Sequence, residues 1–99
     1  MTNRVNDNEL KSVAGGTTVN QYENIPTLYE NLEVDALYWL DDQVRNVSYE
    51  VKFLQITFNP IMRANTVSFL NSITDIIETI DVPDESRVLF YKKTGTITI

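Results

Sequence analysis

The stretch Val47-Ser-Tyr-Glu-Val-Lys-Phe-Leu-Gln-Ile-Thr-Phe58 alternates apolar and polar residues, which is the pattern of a half-buried β-strand. The alternation slips by one residue in the middle, so the apolar positions change from one face of the strand to the other. Such a slip indicates either a β-bulge within one long strand or a tight hairpin around residues 50–53. No Gly, Asn or Pro lies there, which favours the bulge without excluding the hairpin. The two apolar sets are Val47, Tyr49, Val51 and Phe53, followed by Leu54, Ile56 and Phe58.

Asn59-Pro60 follows directly and is the clearest punctuation in the chain. Asn is a favoured N-cap and Pro is favoured at the first helical position, so the pair predicts the start of an α-helix. The following residues carry apolar side chains at helical spacing until Asp81-Val82-Pro83 ends the pattern. The apolar set of this predicted helix is Val67, Phe69, Leu70, Ile73, Ile76, Ile77 and Ile80.

A second helix is predicted upstream, over residues 26–44, where Pro26 again suits the first helical position. Its apolar residues recur at mostly helical spacing, and acidic residues occupy the other face. Residues 17–24 are polar and predict a linker with a short edge strand. The apolar set of the helix is Leu28, Tyr29, Leu32, Ala36, Leu37, Trp39, Leu40 and Val44.

The C-terminal residues predict a hairpin, because two β-rich runs, 88–91 and 96–99, flank Lys92-Lys-Thr-Gly95. The expected order of elements is therefore helix, strand or hairpin, helix, hairpin. This order predicts an α+β fold in which two helices pack on a small antiparallel sheet.

Composition removes several classes of function. The 99 residues include neither Cys nor His, which excludes disulfides, zinc sites and nucleophiles of the Ser-His-Asp or Cys-His type. The net charge of −6 repels phosphate backbones, so direct nucleic-acid binding is not expected. The pairs Glu30 with Glu33 and Asp41 with Asp42 lack the spacing of a Ca²⁺ loop and are expected on solvated helix faces. We therefore expect no metal, no cofactor and no enzymatic activity.

No apolar run reaches the length of about 20 residues that a transmembrane helix needs, so no transmembrane segment is expected.

The first sixteen residues, Met1-Thr-Asn-Arg-Val-Asn-Asp-Asn-Glu-Leu-Lys-Ser-Val-Ala-Gly-Gly16, have a pattern of their own. Apolar residues spaced for one face of a short helix suit docking into an apolar groove. Two glycines at the end suit a protease, because residues without Cβ let an extended backbone enter a narrow channel. The recognition residues are Val5, Glu9, Leu10 and Val13, and the cleavage site is Gly15-Gly16.

This segment resembles the double-glycine leader of bacterial peptides that are exported by peptidase-containing ABC transporters, such as colicin V and class II bacteriocins. The resemblance implies a flexible leader over residues 1–16, which leaves residues 17–99 as the single small acidic α+β domain that the residue patterns predict. It also implies cleavage after Gly16 during export, and a secreted bacteriocin- or microcin-like protein that binds an unidentified protein target. The chain departs from colicin V-like bodies, which are rich in Gly, Ala and Ser, because it has only three Gly.

A cytoplasmic alternative stays open if residues 1–16 are not a leader. The chain would then be an acidic protein-binding module, such as an inhibitor, an anti-defence protein or an assembly subunit. Residues 47–58 followed by 63–81 resemble the strand pair and final helix of the small dimerising subunit of the KEOPS tRNA-modification complex, which implies a homodimer. In either case Tyr38 and Trp39, aromatic residues on an acidic predicted helix, are candidate interface residues.

Overall fold

The computed structural model describes residues 18–98, which form one six-stranded sheet with antiparallel pairing throughout. These residues contain no α-helix, only two single turns of 3-10 helix, Tyr29–Asn31 and Glu85–Arg87. The predicted α+β fold with two helices is therefore wrong. The strands are β1 (Thr18–Tyr22), β2 (Leu37–Asp42), β3 (Val47–Asn59), β4 (Ala64–Asn71), β5 (Ile76–Val82) and β6 (Val88–Thr98).

The order of strands in the sheet is β1-β6-β2-β3-β4-β5, so β1 and β5 are the edges. The short edge strand expected within residues 17–24 is present as β1. β6 is a single long strand, and its first half pairs with β2 while its second half pairs with β1. The hairpin expected around Lys92–Gly95 is therefore wrong. Residues 88–91 and 96–98 of that expected hairpin have strand character, but the two parts pair with different neighbours.

β3 is one continuous strand of 13 residues, and its register against β4 shifts between Phe53 and Gln55. Leu54 is therefore a β-bulge, which decides between the two alternatives left open by the sequence. After the bulge, Ile56 lies opposite Val67, on the same face as Phe53. The bulge thus keeps the apolar residues of both halves of β3 on one face, which we call the inner face.

Three turns of the same form connect β2 to β5. Each begins with an Asp or Asn whose Oδ1 accepts hydrogen bonds from the backbone N–H groups two and three residues further on, at 2.9–3.3 Å. Each ends, after four residues, at a residue with positive φ that returns the chain to the extended conformation. The accepting residues are Asp42, Asn59 and Asn71, and the positive-φ residues are Asn46, Arg63 and Asp75.

This turn explains why Asn59-Pro60 predicted a helix. Asn59 caps the next amides as a helix N-cap does, but the helical conformation lasts one turn and stops at Arg63, where φ is +53°. The residues that follow form the β4–β5 hairpin, and the apolar residues assigned to one helical face belong to both faces of it. Val67 and Phe69 lie on the inner face, whereas Leu70 lies on the opposite, outer face. The helix on which the resemblance to the KEOPS subunit rests is therefore absent, so the homodimer that the resemblance implied is no longer supported.

The helix predicted over residues 26–44 is wrong for a related reason. Residues 23–36 form an irregular segment with one 3-10 turn, and β2 then alternates strictly between partly buried and buried residues. Tyr38 and Leu40 are fully buried on the inner face, while Trp39 lies on the outer face. Apolar residues on both faces of β2 imitated helical spacing in the sequence.

The core fills the inner face of the sheet. Tyr38 stands at its centre, with its ring edge-on to Phe90 at 6.1 Å and to Phe53 at 6.5 Å between ring centroids. Arg45 in the β2–β3 turn donates a hydrogen bond to the Asp81 carbonyl of β5 at 3.0 Å, which requires the sheet to curl across β3 and β4. The buried cluster consists of Tyr38, Leu40, Val51, Phe53, Val67, Phe69, Val82, Val88 and Phe90.

We expect Asn71→Ala to lower the free energy of unfolding by about 1–3 kcal/mol, because it leaves the turn amides of Ile73 and Thr74 without their acceptor. Ser72→Ala changes an exposed residue of the same turn and serves as control, with an expected change within about 0.5 kcal/mol. Urea unfolding followed by tryptophan fluorescence measures both. Equal midpoints for the two variants would show that the Asn71 side chain does not hold the turn.

Candidate binding cleft

Residues 23–36 cross the inner face of the sheet from β6 to β3. At the start of this covering segment, the N–H of Thr27 donates to the Phe90 carbonyl of β6 at 2.7 Å. At its end, the N–H of Asp35 donates to the Phe53 carbonyl of β3 at 2.8 Å. Backbone hydrogen bonds thus hold both ends, and the residues between them pack against the core. The packed residues of the segment are Tyr29, Leu32 and Ala36.

Tyr29 anchors the middle of the covering segment. Its hydroxyl donates to the Val88 carbonyl at 2.6 Å, and its ring meets the Phe90 ring edge-on at 5.6 Å. Burial raises the pKa of the Tyr29 phenol well above its usual value, and the negative charges of Glu85, Asp42 and Asp84 raise it further. The phenol therefore stays protonated as a donor, and its surroundings carry a negative potential.

Two adjoining cavities, of about 240 and 330 Å³, open beside Tyr29. They lie where the covering segment meets the end of β3 and the 3-10 turn Glu85–Arg87. Leu28, Tyr29 and Glu85 line both cavities, and together the two form what we call the Tyr29 cleft. The larger cavity is also lined by Glu30, Ile56, Phe58 and Asn65.

Large apolar side chains are exposed around the Tyr29 cleft. Leu28 and Phe58, which line it, are each 63% exposed. The adjacent β3–β4 turn adds Ile61 at 91% and Met62 at 56%. Exposed apolar residues grouped in this way mark surfaces that bind other molecules, because water contact with such groups is unfavourable.

The charged groups of the cleft are carboxylates. Glu30 and Glu85 are among its lining residues, and the described lining residues include no lysine or arginine. Glu85 accepts a hydrogen bond from the Asn65 amide, which orients the carboxylate without neutralising it. Next to Glu85, hydrogen bonds from Ser86 lower the pKa of the Asp84 carboxyl. The ion pairs within residues 18–98, Arg45–Asp42 and Lys92–Glu33, lie outside this lining.

The residues that the sequence indicated as sites lie elsewhere. The leader residues Val5, Glu9, Leu10, Val13, Gly15 and Gly16 are outside the described part of the chain. Tyr38 is fully buried and its hydroxyl accepts the N–H of Glu33 at 2.9 Å, so it is a core residue and offers no surface to a partner. Trp39 is partly exposed on the outer face, 5.7 Å from the Tyr22 ring, and remains a candidate interface residue.

The pair Asp41 with Asp42, expected on a solvated helix face, lies on β2 instead, with its two members on opposite faces of the strand. Asp42 is buried and its carboxylate bonds the turn amides and Arg45, whereas Asp41 points to the outer face. In residues 18–98, no group of three or more acidic residues is arranged to hold a metal ion. The same residues contain no helix with the length and apolar character needed to cross a membrane.

Sequence reasoning missed the Tyr29 cleft because its walls come from three distant parts of the chain. Leu28 and Tyr29 were expected on a helix face, and Phe58 was expected at the end of a strand. The sequence does carry one usable signal. Phe58 directly precedes Asn59-Pro60, so it lies beside a chain reversal, where burial within a sheet is difficult.

We expect Tyr29→Phe to lower the free energy of unfolding at neutral pH by about 1 kcal/mol, because the Val88 carbonyl loses its donor. In the wild type, the free energy of unfolding should change little between pH 7 and about 10 and fall at higher pH, because burial raises the pKa of Tyr29 and raises that of Tyr49 to about 12. The fall should be shallower in Tyr29→Phe. Urea unfolding between pH 7 and 11 measures both effects, with Tyr91→Phe on the outer face as control. A fall equally steep in both variants would contradict the role of Tyr29.

No protein family matches the chain, and comparisons with curated proteins and with solved structures likewise find no significant match.

Proposed function

We propose that this chain is an exported protein-binding module whose residues 17–99 engage a partner protein through the Tyr29 cleft. The observation that carries the binding proposal is the cleft itself, a cavity of about 330 Å³ flanked by two apolar side chains, Leu28 and Phe58, that are each 63% exposed. The covering segment is fixed at both ends by backbone hydrogen bonds, so the surface is preformed. A preformed surface loses little conformational freedom on binding, which favours affinity.

The export part of the proposal rests on the resemblance of residues 1–16 to double-glycine leaders. A peptidase-containing ABC transporter would recognise Val5, Glu9, Leu10 and Val13 and cleave after Gly16. Within exported proteins of this kind, the resemblance favours a bacteriocin- or microcin-like class that acts on a protein target of another bacterium. The intracellular alternative uses the same binding surface, and export is what separates the two.

Export is tested by the intact mass of the protein in the culture medium and in the cytosol of its native host. We expect a secreted species that begins at Thr17, produced by cleavage after Gly16. Replacing both residues, Gly15→Ala and Gly16→Ala, should cause the full-length precursor to accumulate inside the cell, because the added Cβ atoms obstruct the protease channel. Full-length protein found only in the cytosol would overturn export and leave the intracellular alternative.

Binding through the cleft is tested with a double variant, Leu28→Ser with Phe58→Ser. The protein is immobilised and incubated with envelope and cytosolic fractions of the host and related bacteria, and retained proteins are identified by mass spectrometry. The wild type should retain a specific partner, and the amount retained by the variant should be at least about tenfold lower, because two apolar anchors are removed.

The matched control for that experiment is Ile73→Ser with Ile77→Ser. These residues are 76% and 64% exposed and lie at the β4–β5 end of the sheet, away from the cleft lining. The control should retain the partner as the wild type does. A partner that the control loses and the cleft variant keeps would place the binding surface elsewhere.

A further inference from the structure

We infer that the Tyr29 cleft takes a basic side chain, lysine or arginine, from an extended segment of the partner protein, with apolar neighbours on Leu28 and Phe58. The inference rests on the proposed function and names the chemistry of the partner. It follows from two features that the cleft combines, an apolar floor and a carboxylate rim.

The floor of the cleft suits the aliphatic part of a long basic side chain. Tyr29 and Ile56 line the larger cavity and are partly buried, whereas Leu28 and Phe58 are largely exposed. Lysine and arginine place their methylene stems against such surfaces while the charged end stays at the rim.

The rim of the cleft suits the charged end of that side chain. Glu30 and Glu85 line the cavity, and neither takes part in the ion pairs of the described residues. The Asn65 amide bonds one oxygen of Glu85 and so orients the carboxylate. A guanidinium or ammonium group would supply a positive charge to these two carboxylates.

Other occupants fit the cleft less well. A purely apolar side chain would remove water from the Glu30 and Glu85 carboxylates without giving them a partner, which is costly. An acidic segment, nucleic acid or anionic lipid would meet like charge. A second copy of this chain also carries a net charge of −6 and would meet the same repulsion. A basic, partly apolar segment of a different protein satisfies both features.

The test uses the full chain labelled with ¹⁵N and three blocked pentapeptides, Ser-Leu-Lys-Leu-Ser and its analogues with norleucine or glutamate in place of lysine. The lysine peptide should shift the amide signals of Leu28, Tyr29, Phe58 and Glu85. Its affinity should exceed that of the uncharged norleucine peptide by about fivefold, as expected for a partly exposed charge pair. The glutamate peptide should bind more weakly than either.

Two single variants with the same loss of charge sharpen this test. Glu85→Gln keeps an acceptor for Asn65 but removes the charge, so it should weaken the lysine peptide about threefold and leave the norleucine peptide unchanged. Glu23→Gln removes an exposed carboxylate outside the cleft lining and should change neither. Superposable amide spectra away from position 85 verify that the variants are folded.

The possible outcomes distinguish a failure of the basic-anchor inference from a failure of the proposed function. Equal affinities for the lysine and norleucine peptides, or an equal effect of Glu85→Gln on both, would overturn the basic anchor while the Leu28 and Phe58 surface stands. About 5 mM lysine peptide is enough to detect binding with a Kd in the millimolar range. The absence of amide shifts at the cleft at this concentration would also overturn the basic anchor. Failure of the Leu28 and Phe58 double variant to release a cellular partner would instead overturn the proposed function.

Discussion

One type of turn sets the pairing of the central strands. In this turn an Asp or Asn side chain accepts hydrogen bonds from the next backbone amides, and a residue with positive φ ends the loop. It occurs three times, starting at Asp42, Asn59 and Asn71. Because a shift of one residue would move every inner side chain to the outer face, these turns decide which residues form the core. Val67 and Ile80 face each other on the inner side, for example, because the turn that begins at Asn71 fixes that register.

The bulge at Leu54 adds the second constraint, because a bulge bends a strand and increases its twist. The sheet curls far enough for Arg45 to reach the backbone of β5. The covering segment then crosses the inner face and is anchored by Tyr29. The cleft exists where this cover meets the end of β3, so the binding surface depends on the curl of the sheet and on the anchoring of the cover together.

The sequence allowed accurate prediction where one residue pattern alone determines the structure. The alternation in residues 47–58 indicated both the strand and its slip. Asn59 accepts the following amides as the predicted helix N-cap would, but the helix itself is absent. The sequence did not show that the turn after Asn59 ends at Arg63. Arg63 has a positive φ, a conformation that Gly, Asn and Asp adopt readily but that is unusual for Arg. Strands with apolar residues on both faces, such as Leu37–Asp42, imitate helical spacing, and only the tertiary pairing decides between the two.

The cleft was still less predictable from the sequence. Glu30 and Glu85 are far apart in the chain, and only the path of the covering segment brings them to one cavity. Exposure of Leu28 and Phe58 likewise depends on where that segment ends its contact with the core. By contrast, the exclusion of thiol and imidazole chemistry needed composition alone, because the chain contains no Cys and no His.

Backbone NMR of the full chain tests the central claim, that residues 64–82 form a hairpin whose register is set by Asn71. The structure requires extended-type chemical shifts on both sides of the turn. It also requires cross-strand nuclear Overhauser contacts between Val67 and Ile80, and between Phe69 and Glu78. Helical shifts across residues 64–80, with contacts between residues three and four apart in sequence, would contradict the sheet, the cleft and everything inferred from them.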